Sequence, residues 1–341
     1  MRLAPIILAT LVAYLLFACS ESSDSAPGFD AGFDAGAEGS TVAACDVTGV
    51  TPGTTMEQVD PEGFRSRTYQ LHVPEGYDDT PRPLVINMHG FLNDGSQQSR
   101  ISGMNALADE EGFIAVYPDG LGTLRAFNAG DCCAWDNPEQ DDVAFIDQVI
   151  ERVSQQVCVD RSRIYATGFS NGGFMAYRLA CERSETFAAV ASVSGVLGIP
   201  REDCDQARPV PLLHIHGTAD LIVPYQGGSP TGIGLIYQGT ETPVFRSVEE
   251  SFDTYLGVVG CDQTPFPGEQ IGAVSCDIHR ACTGGVELEL CTIEGGGHTW
   301  PGGDPQVLSE AFGVLAFALG VTNQDMDASR RIWSFFERYQ L

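Results

Sequence analysis

The chain has 341 residues, with 46 Asp and Glu against 18 basic residues, and carries a net charge of −28. All its basic residues are Arg. So acidic a surface argues against nucleic acid or anionic lipid as a partner, and the absence of Lys excludes a Ser-Lys dyad, a P-loop and a Schiff-base enzyme. Arg2, the apolar run Leu3 to Phe17 and the tetrad Leu16-Phe17-Ala18-Cys19 read as a lipoprotein-type signal peptide over residues 1–19, with Cys19 lipidated. The run is too short for a permanent spanning helix. Residues 20–44 are rich in Ser, Asp, Gly and Ala and repeat Phe-Asp-Ala-Gly from Phe29 and from Phe33. Such composition cannot bury enough apolar surface to order itself, so a disordered tether is expected there. Residues 45–341 are then the folded domain, long enough for one large core. Eleven Cys less Cys19 leaves ten, which in an exported chain means up to five disulfides of undetermined pairing.

A first strand is expected over Arg67 to Val73, and a buried one over the nearly continuous apolar run Leu84 to Phe91. A helix follows from Ser99 to Glu111, closed by Gly112, and then a strand from Phe113 to Tyr117. The loop Leu121 to Gln140 holds Cys132, Cys133 and Trp135. Asp141 and Asp142 open a helix with one apolar stripe: Val143, Ile146, Val149, Ile150, Val153 and Val157. Arg163 to Phe169 is a strand, followed by a helical pattern from Phe174 to Cys181. Ala188 to Val193 and Val210 to His216 are strand-like, Val244 to Leu256 helical, Val286 to Ile293 a strand, and Ala328 to Tyr339 a closing helix. Strands alternating with helices predict a mostly parallel sheet with helices on both faces, and such sheets place sites at the carboxyl ends of their strands.

Phe91, Ser170, Asp220 and His298 all fall at such ends. Gly168-Phe169-Ser170-Asn171-Gly172-Gly173 sits between strand and helix, the context of a nucleophile elbow. Glycines are needed there because a Cβ at either flank would meet the strand or the helix. A Ser hydroxyl needs a base. His298, in the Gly-rich loop after the last strand, fits best, and Asp220, after the turn Gly217-Thr218-Ala219, fits as the carboxylate that orients it. The oxyanion would take the backbone N–H groups of Phe91 and Asn171. His89 and His216 each precede Gly at a strand end, where structural hydrogen bonding is the commoner role. His214 and His216 are two apart and could share a strand face, but no further metal ligands accompany them. His72 and His279 have no chemical context, and Asp160 suits a turn or cap.

Pro83 to Gly90, Asn128 to Cys133, Ala166 to Gly173, His214 to Asp220 and Ile293 to Gly303 resemble the polyhydroxybutyrate depolymerase / feruloyl esterase group of secreted α/β-hydrolases. The resemblance runs in order from about Phe64 to Leu341. It implies an α/β-hydrolase fold, a catalytic triad of Ser170, Asp220 and His298, and a substrate wall that includes Trp300, with His89 and Trp135 beside it. It also implies an exported carboxylic ester hydrolase that works through an acyl-enzyme, with no metal or organic cofactor and no obligate protein partner. Its membrane contact would be through the lipid anchor alone. The substrate would be a hydroxyalkanoate oligoester or a feruloyl- or acetyl-substituted polysaccharide. Several features depart from the group. Phe91 stands where a small residue is usual, which narrows the acyl pocket. Cys158, Cys276 and Cys291 are additional, so an extra disulfide or two is expected. Pro305 to Val321 is longer and more apolar than usual; it reads as a helical cap over the site or as surface packing, and packing is the expected role. No Thr-rich linker or separate binding module is read in the chain, which favours soluble oligomers or esterified sugars over crystalline polymer.

Overall fold

A computed structural model describes residues 47–59, 67–134, 136–231 and 242–341. The readings of residues 1–19 and 20–44, Cys19 included, lie outside the described residues, as does Trp135. Ten strands form one sheet: β1 (Gly53–Gln58), β2 (Thr68–Val73), β3 (Arg82–Met88), β4 (Ile114–Pro118), β5 (Val159–Phe169), β6 (Ala189–Val193), β7 (Leu212–Gly217), β8 (Phe266–Ile271), β9 (Val274–His279) and β10 (Leu288–Ile293). Their order is β1-β2-β4-β3-β5-β6-β7-β10-β9-β8. The central pairs β4–β3, β3–β5, β5–β6, β6–β7 and β7–β10 are parallel, and both flanks are antiparallel. This is the mostly parallel sheet expected from the alternating pattern.

The central strands are largely apolar and buried on both faces because alternate side chains enter two different cores. Leu84, Ile86 and Met88 of β3, Ile164 and Ala166 of β5 and Leu212 of β7 face one layer. That layer is closed by α3 (Asp142–Gln156), α4 (Asn171–Glu182) and α5 (Val248–Val259). Val85 of β3, Tyr165 and Phe169 of β5 and Leu213 and Ile215 of β7 face the other. It is closed by α1 (Gly95–Ser102), α2 (Met104–Glu111), α6 (Pro305–Phe312) and α7 (Ala328–Phe336). Here Tyr165 stacks on Phe336 at 4.7 Å between ring centroids, and Phe113 on Trp333 at 4.4 Å.

Several boundaries differ from the sequence reading, each for a local reason. The helix expected from Ser99 to Glu111 is two helices, broken at Gly103 with φ 62°. The first starts earlier than expected because Asp94 and Gln97 form a reciprocal capping box. The helix expected from Val244 begins at Val248, where the Ser247 side chain accepts the Glu250 N–H. Strand β5 begins four residues early, through polar residues that the apolar pattern does not mark. The hairpin β8–β9 and strand β1 have no counterpart in the sequence reading, and α6 falls in the stretch whose alternative reading was a helical cap. β1 and β8 are exposed edge strands, so their sequences lack a buried face.

Four disulfides join described residues: Cys132–Cys133, Cys181–Cys204, Cys261–Cys282 and Cys276–Cys291. Cys158 is disulfide-bonded as well. The additional Cys276 and Cys291 thus cross-link β9 to β10 at directly opposed positions.

Candidate active site

Strand β5 ends in Phe169, and Ser170 turns the chain into α4 with φ 54° and ψ −118°. A non-glycine residue is held there only at a cost of roughly 1–3 kcal/mol, supplied by its surroundings. The glycines make the turn possible. A Cβ at Gly168 would lie 2.5 Å from the Gly172 backbone, and one at Gly172 would lie 2.2 Å from the Met88 carbonyl oxygen. The Ser170 carbonyl accepts the Gly173 and Phe174 N–H groups, while its side chain makes no capping bond. The hydroxyl is therefore not committed to holding the helix. Asn171 is the first residue of α4, so its N–H has no intrahelical acceptor. Its carboxamide accepts the Phe127 N–H at 2.8 Å and donates to the Phe127 carbonyl at 2.9 Å, which ties the 126–134 loop to the turn.

The loops after β7 and β10 are sewn together. The Thr218 N–H donates to Ile293 O, the Ala219 N–H to Gly296 O, and the Gly295 N–H to Thr218 Oγ1. A Cβ at Gly217 would lie 2.2 Å from Gly296 O, so the approach requires glycine. This seam sets Asp220 against His298, with Oδ2 2.7 Å from Nδ1. Asp220 Oδ1 accepts the Ile222 and Val223 N–H groups, both at 2.8 Å, and His216 Nε2 approaches Oδ2 at 3.2 Å. Burial alone would raise the Asp220 pKa. The charge on His298 and the bonds from His216 and His298 outweigh it and hold the carboxyl well below its ordinary value. The His298 ring rests on Phe169, the residue before Ser170, with centroids 4.9 Å apart.

Phe91 follows Gly90, where a Cβ would stand 3.3 Å from Ser170 Cβ. The Asn93 N–H bonds back to Gly90 O, and Leu92 takes φ 68°, so the loop after β3 is a tight turn over the elbow. The structure thus gathers Phe91, Ser170, Asn171, Asp220 and His298 at the carboxyl ends of β3, β5, β7 and β10.

Two expected substrate contacts are corrected. His89 is fully buried, and both of its nitrogens are engaged. Nδ1 lies 2.7 Å from Gly90 O, and Nε2 accepts the Gly120 N–H at 2.8 Å. Burial lowers its pKa, so it sits neutral and orders the turn instead of meeting substrate. Trp300 is 1% exposed, and its indole N–H donates to Ser329 Oγ. It belongs to the core beneath α7 and offers no wall.

The aromatic beside the site is Phe312, edge-on to Phe169 at 6.2 Å. It ends α6, in the stretch read as surface packing. That stretch packs only in part. Leu308, Ala318 and Leu319 are buried, but Phe317 is 76% exposed and Val321 67%. Leu319 O and Val321 O accept the His298 and Gly297 N–H groups, so the segment flanks the His298 loop directly. The sequence reading also missed His216 as a partner of Asp220. Its signal was the two-residue spacing from His214 on a strand that ends beside Asp220.

The family described as Esterase PHB depolymerase matches residues 67–203. Feruloyl esterase B of Piromyces equi is 35% identical over 231 residues, which is 66% of this chain and 41% of that protein. The match therefore spans less than half of that relative's length. The putative esterase NocK of Nocardia uniformis subsp. tsuyamanensis is 34% identical over 261 residues, 73% of this chain and 75% of that one. Among solved structures, acetyl xylan esterase from Aspergillus awamori aligns over 76% of this chain and 99% of that one, with a TM-score of 0.53 and 17% identity. At that identity the likeness concerns the fold alone.

Proposed function

Because the chain belongs to the Esterase PHB depolymerase family, we propose that it is a serine esterase that cleaves carboxylic esters through an acyl-enzyme. Ser170 Oγ attacks the ester carbonyl as His298 takes its proton. Asp220 holds the imidazole in the tautomer whose Nε2 lone pair is available, and stabilises the imidazolium that forms. The N–H groups of Phe91 and Asn171 receive the oxyanion. The intermediate collapses as His298 hands the proton to the departing alcohol. A water then repeats the cycle on the acyl-enzyme, releases the acid and restores Ser170.

The observation that most supports this reading is the 2.7 Å bond between Asp220 and His298 on two loops sewn together beside a strained, uncommitted Ser170. The family description favours hydroxyalkanoate oligoesters as substrate. The feruloyl esterase relatives favour a second reading, a feruloyl or acetyl ester of plant polysaccharide. Export belongs to the same proposal, with Cys19 as the lipidated residue. The disulfides support export, because such bonds persist in oxidising compartments.

The test is turnover of p-nitrophenyl acetate, p-nitrophenyl butyrate and methyl ferulate, with Ser170→Ala as control. Wild-type turnover with an inert control is expected, and the butyrate-to-ferulate ratio ranks the two substrate readings. An inert wild type, or a Ser170→Ala protein as fast as wild type, would point instead to a binding protein on a hydrolase scaffold.

A further inference from the structure

Behind Asp220 a file of hydrogen bonds runs into the core. Tyr177 Oη, on α4, lies 2.7 Å from His214 Nδ1, and His214 Nε2 lies 3.1 Å from His216 Nδ1. His216 Nε2 lies 2.9 Å from the Val223 carbonyl oxygen and 3.2 Å from Asp220 Oδ2. Asp220 then meets His298. All five side chains are buried. Strand β7 supplies the alignment. Residues two apart share a face, and the rings of His214 and His216 stack at 5.3 Å with 14° between their planes.

Chemistry sets the direction of the file. A carbonyl oxygen can only accept, so His216 Nε2 carries a hydrogen. Its Nδ1 is then a lone pair, which the His214 Nε2–H fills. His214 Nδ1 in turn accepts the Tyr177 hydroxyl. In this arrangement the donors run from Tyr177 through His214 to His216, whose Nε2–H faces Val223 O at 2.9 Å and Asp220 Oδ2 at 3.2 Å. Burial, and then the neighbouring His216, keep His214 well below the ordinary imidazole pKa, so that ring sits neutral. The other titratable groups that face the file are Tyr225, edge-on to His216 at 5.8 Å, and Tyr255, edge-on to Tyr177 at 5.6 Å.

The hydrolytic steps above use none of Tyr177, His214 and His216. Asp220 Oδ1 is held by two backbone N–H groups, whereas Oδ2 has only imidazole donors. We propose, resting on the esterase reading, that His216 is a positioning residue, ordered by His214 and Tyr177, that holds Asp220 Oδ2 turned to His298 during turnover. Loss of the His216 donor frees that oxygen to swing and weakens its hold on the His298 imidazolium.

The full-length protein is compared with its His216→Phe, His216→Gln and Tyr177→Phe variants on p-nitrophenyl acetate across the pH range. His216→Phe should lower kcat by about 10- to 100-fold, the span that outer-shell partners command at metal sites, and leave KM in place. The acid limb of its profile should move to lower pH, because a weaker Asp220 contact makes His298 easier to deprotonate. His216→Gln, which keeps an N–H donor at the same reach, should recover most of the lost kcat. Tyr177→Phe should show a smaller drop in the same direction. An NMR titration of His298 in the Ser170→Ala background should show the same downward shift without any turnover. Equal losses in the Phe and Gln variants with an unmoved acid limb would assign His216 a packing role and overturn the proposal. An unchanged kcat, or an acid limb moved upward, would overturn it too. An inert wild type would sink the esterase reading alone, since the NMR titration still decides whether His216 governs His298.

Discussion

Asp220→Asn tests the site at the point where its geometry is most constrained. Four donors converge on this side chain: the Ile222 and Val223 N–H groups on Oδ1, and the His298 and His216 imidazoles on Oδ2. An amide replaces one acceptor with an NH₂ group. Placed toward His298, that NH₂ faces two ring donors. Turned over, it faces two backbone donors instead. The side chain is fully buried, so water does not relieve either arrangement. The least costly escape is for His298 to shift its proton from Nδ1 to Nε2, the nitrogen that must accept the proton of Ser170. Such a tautomer trap lowers kcat by about 10⁴-fold, which is roughly 5.4 kcal/mol of barrier at 1.36 kcal/mol per decade. Any donor left unpaired costs stability as well, about 1–3 kcal/mol. The assay is kcat for p-nitrophenyl acetate at pH 7, with Tm measured alongside. If Asp220→Asn stays folded and keeps kcat within about tenfold of wild type, the assignment of Asp220 as orienting carboxylate is wrong.

Three further outcomes are expected. Gly217→Ala should drive the seam between the two loops apart, because its Cβ has only 2.2 Å to Gly296 O. Roughly 1–3 kcal/mol of stability and much of kcat should be lost together, and a normal Tm would refute the close approach. Trp300→Ala should cost roughly 3–5 kcal/mol by urea unfolding with no rise in KM, whereas a raised KM in a stable variant would restore Trp300 to the substrate wall. His89 and His214 are buried with lowered pKa values. Below the unfolded imidazole pKa of about 6.5, the unfolded chain binds protons that these two rings resist in the fold. Stability should therefore fall as pH drops from 7 to 5, by up to about 1.4 kcal/mol per pH unit for each ring. The stability linked to the depressed Asp220 pKa is full above the unfolded carboxylate pKa of about 3.9 and is lost progressively as pH falls below it, outside the 7-to-5 window. Equal urea midpoints and slopes at pH 7 and pH 5 would contradict the neutral assignment.

The central sheet was legible because burial on both faces leaves a simple mark, a largely apolar run without strict alternation at β3, β6 and β7. The elbow was legible for a related reason: its glycines answer to backbone contacts closer than any side chain allows. What escaped notice was exposed, or arises only from tertiary packing. β8 contains Pro267 and Gly268 and buries almost nothing, so its membership in the sheet rests on pairing with β9. Trp300 was placed on the substrate side by the family resemblance. Only the packing of α7, with Ser329 beneath the indole, turns it inward. His216 carried a visible spacing but no visible partner, because Asp220 reaches it around a turn closed by the Asp220 N–H on Gly217 O.

The seam between the loops after β7 and β10 has a mechanical consequence. Asp220 and His298 are carried on two loops held by shared hydrogen bonds, so a displacement of one loop is expected to carry the other with it. Phe91 after β3 and Phe312 at the end of α6 stand on other segments, and in the proposed esterase they would supply the acyl-facing rim. A lineage could therefore reshape that rim for a bulkier or slimmer ester, one loop at a time, while the proton-handling pair travels unaltered from one specificity to the next.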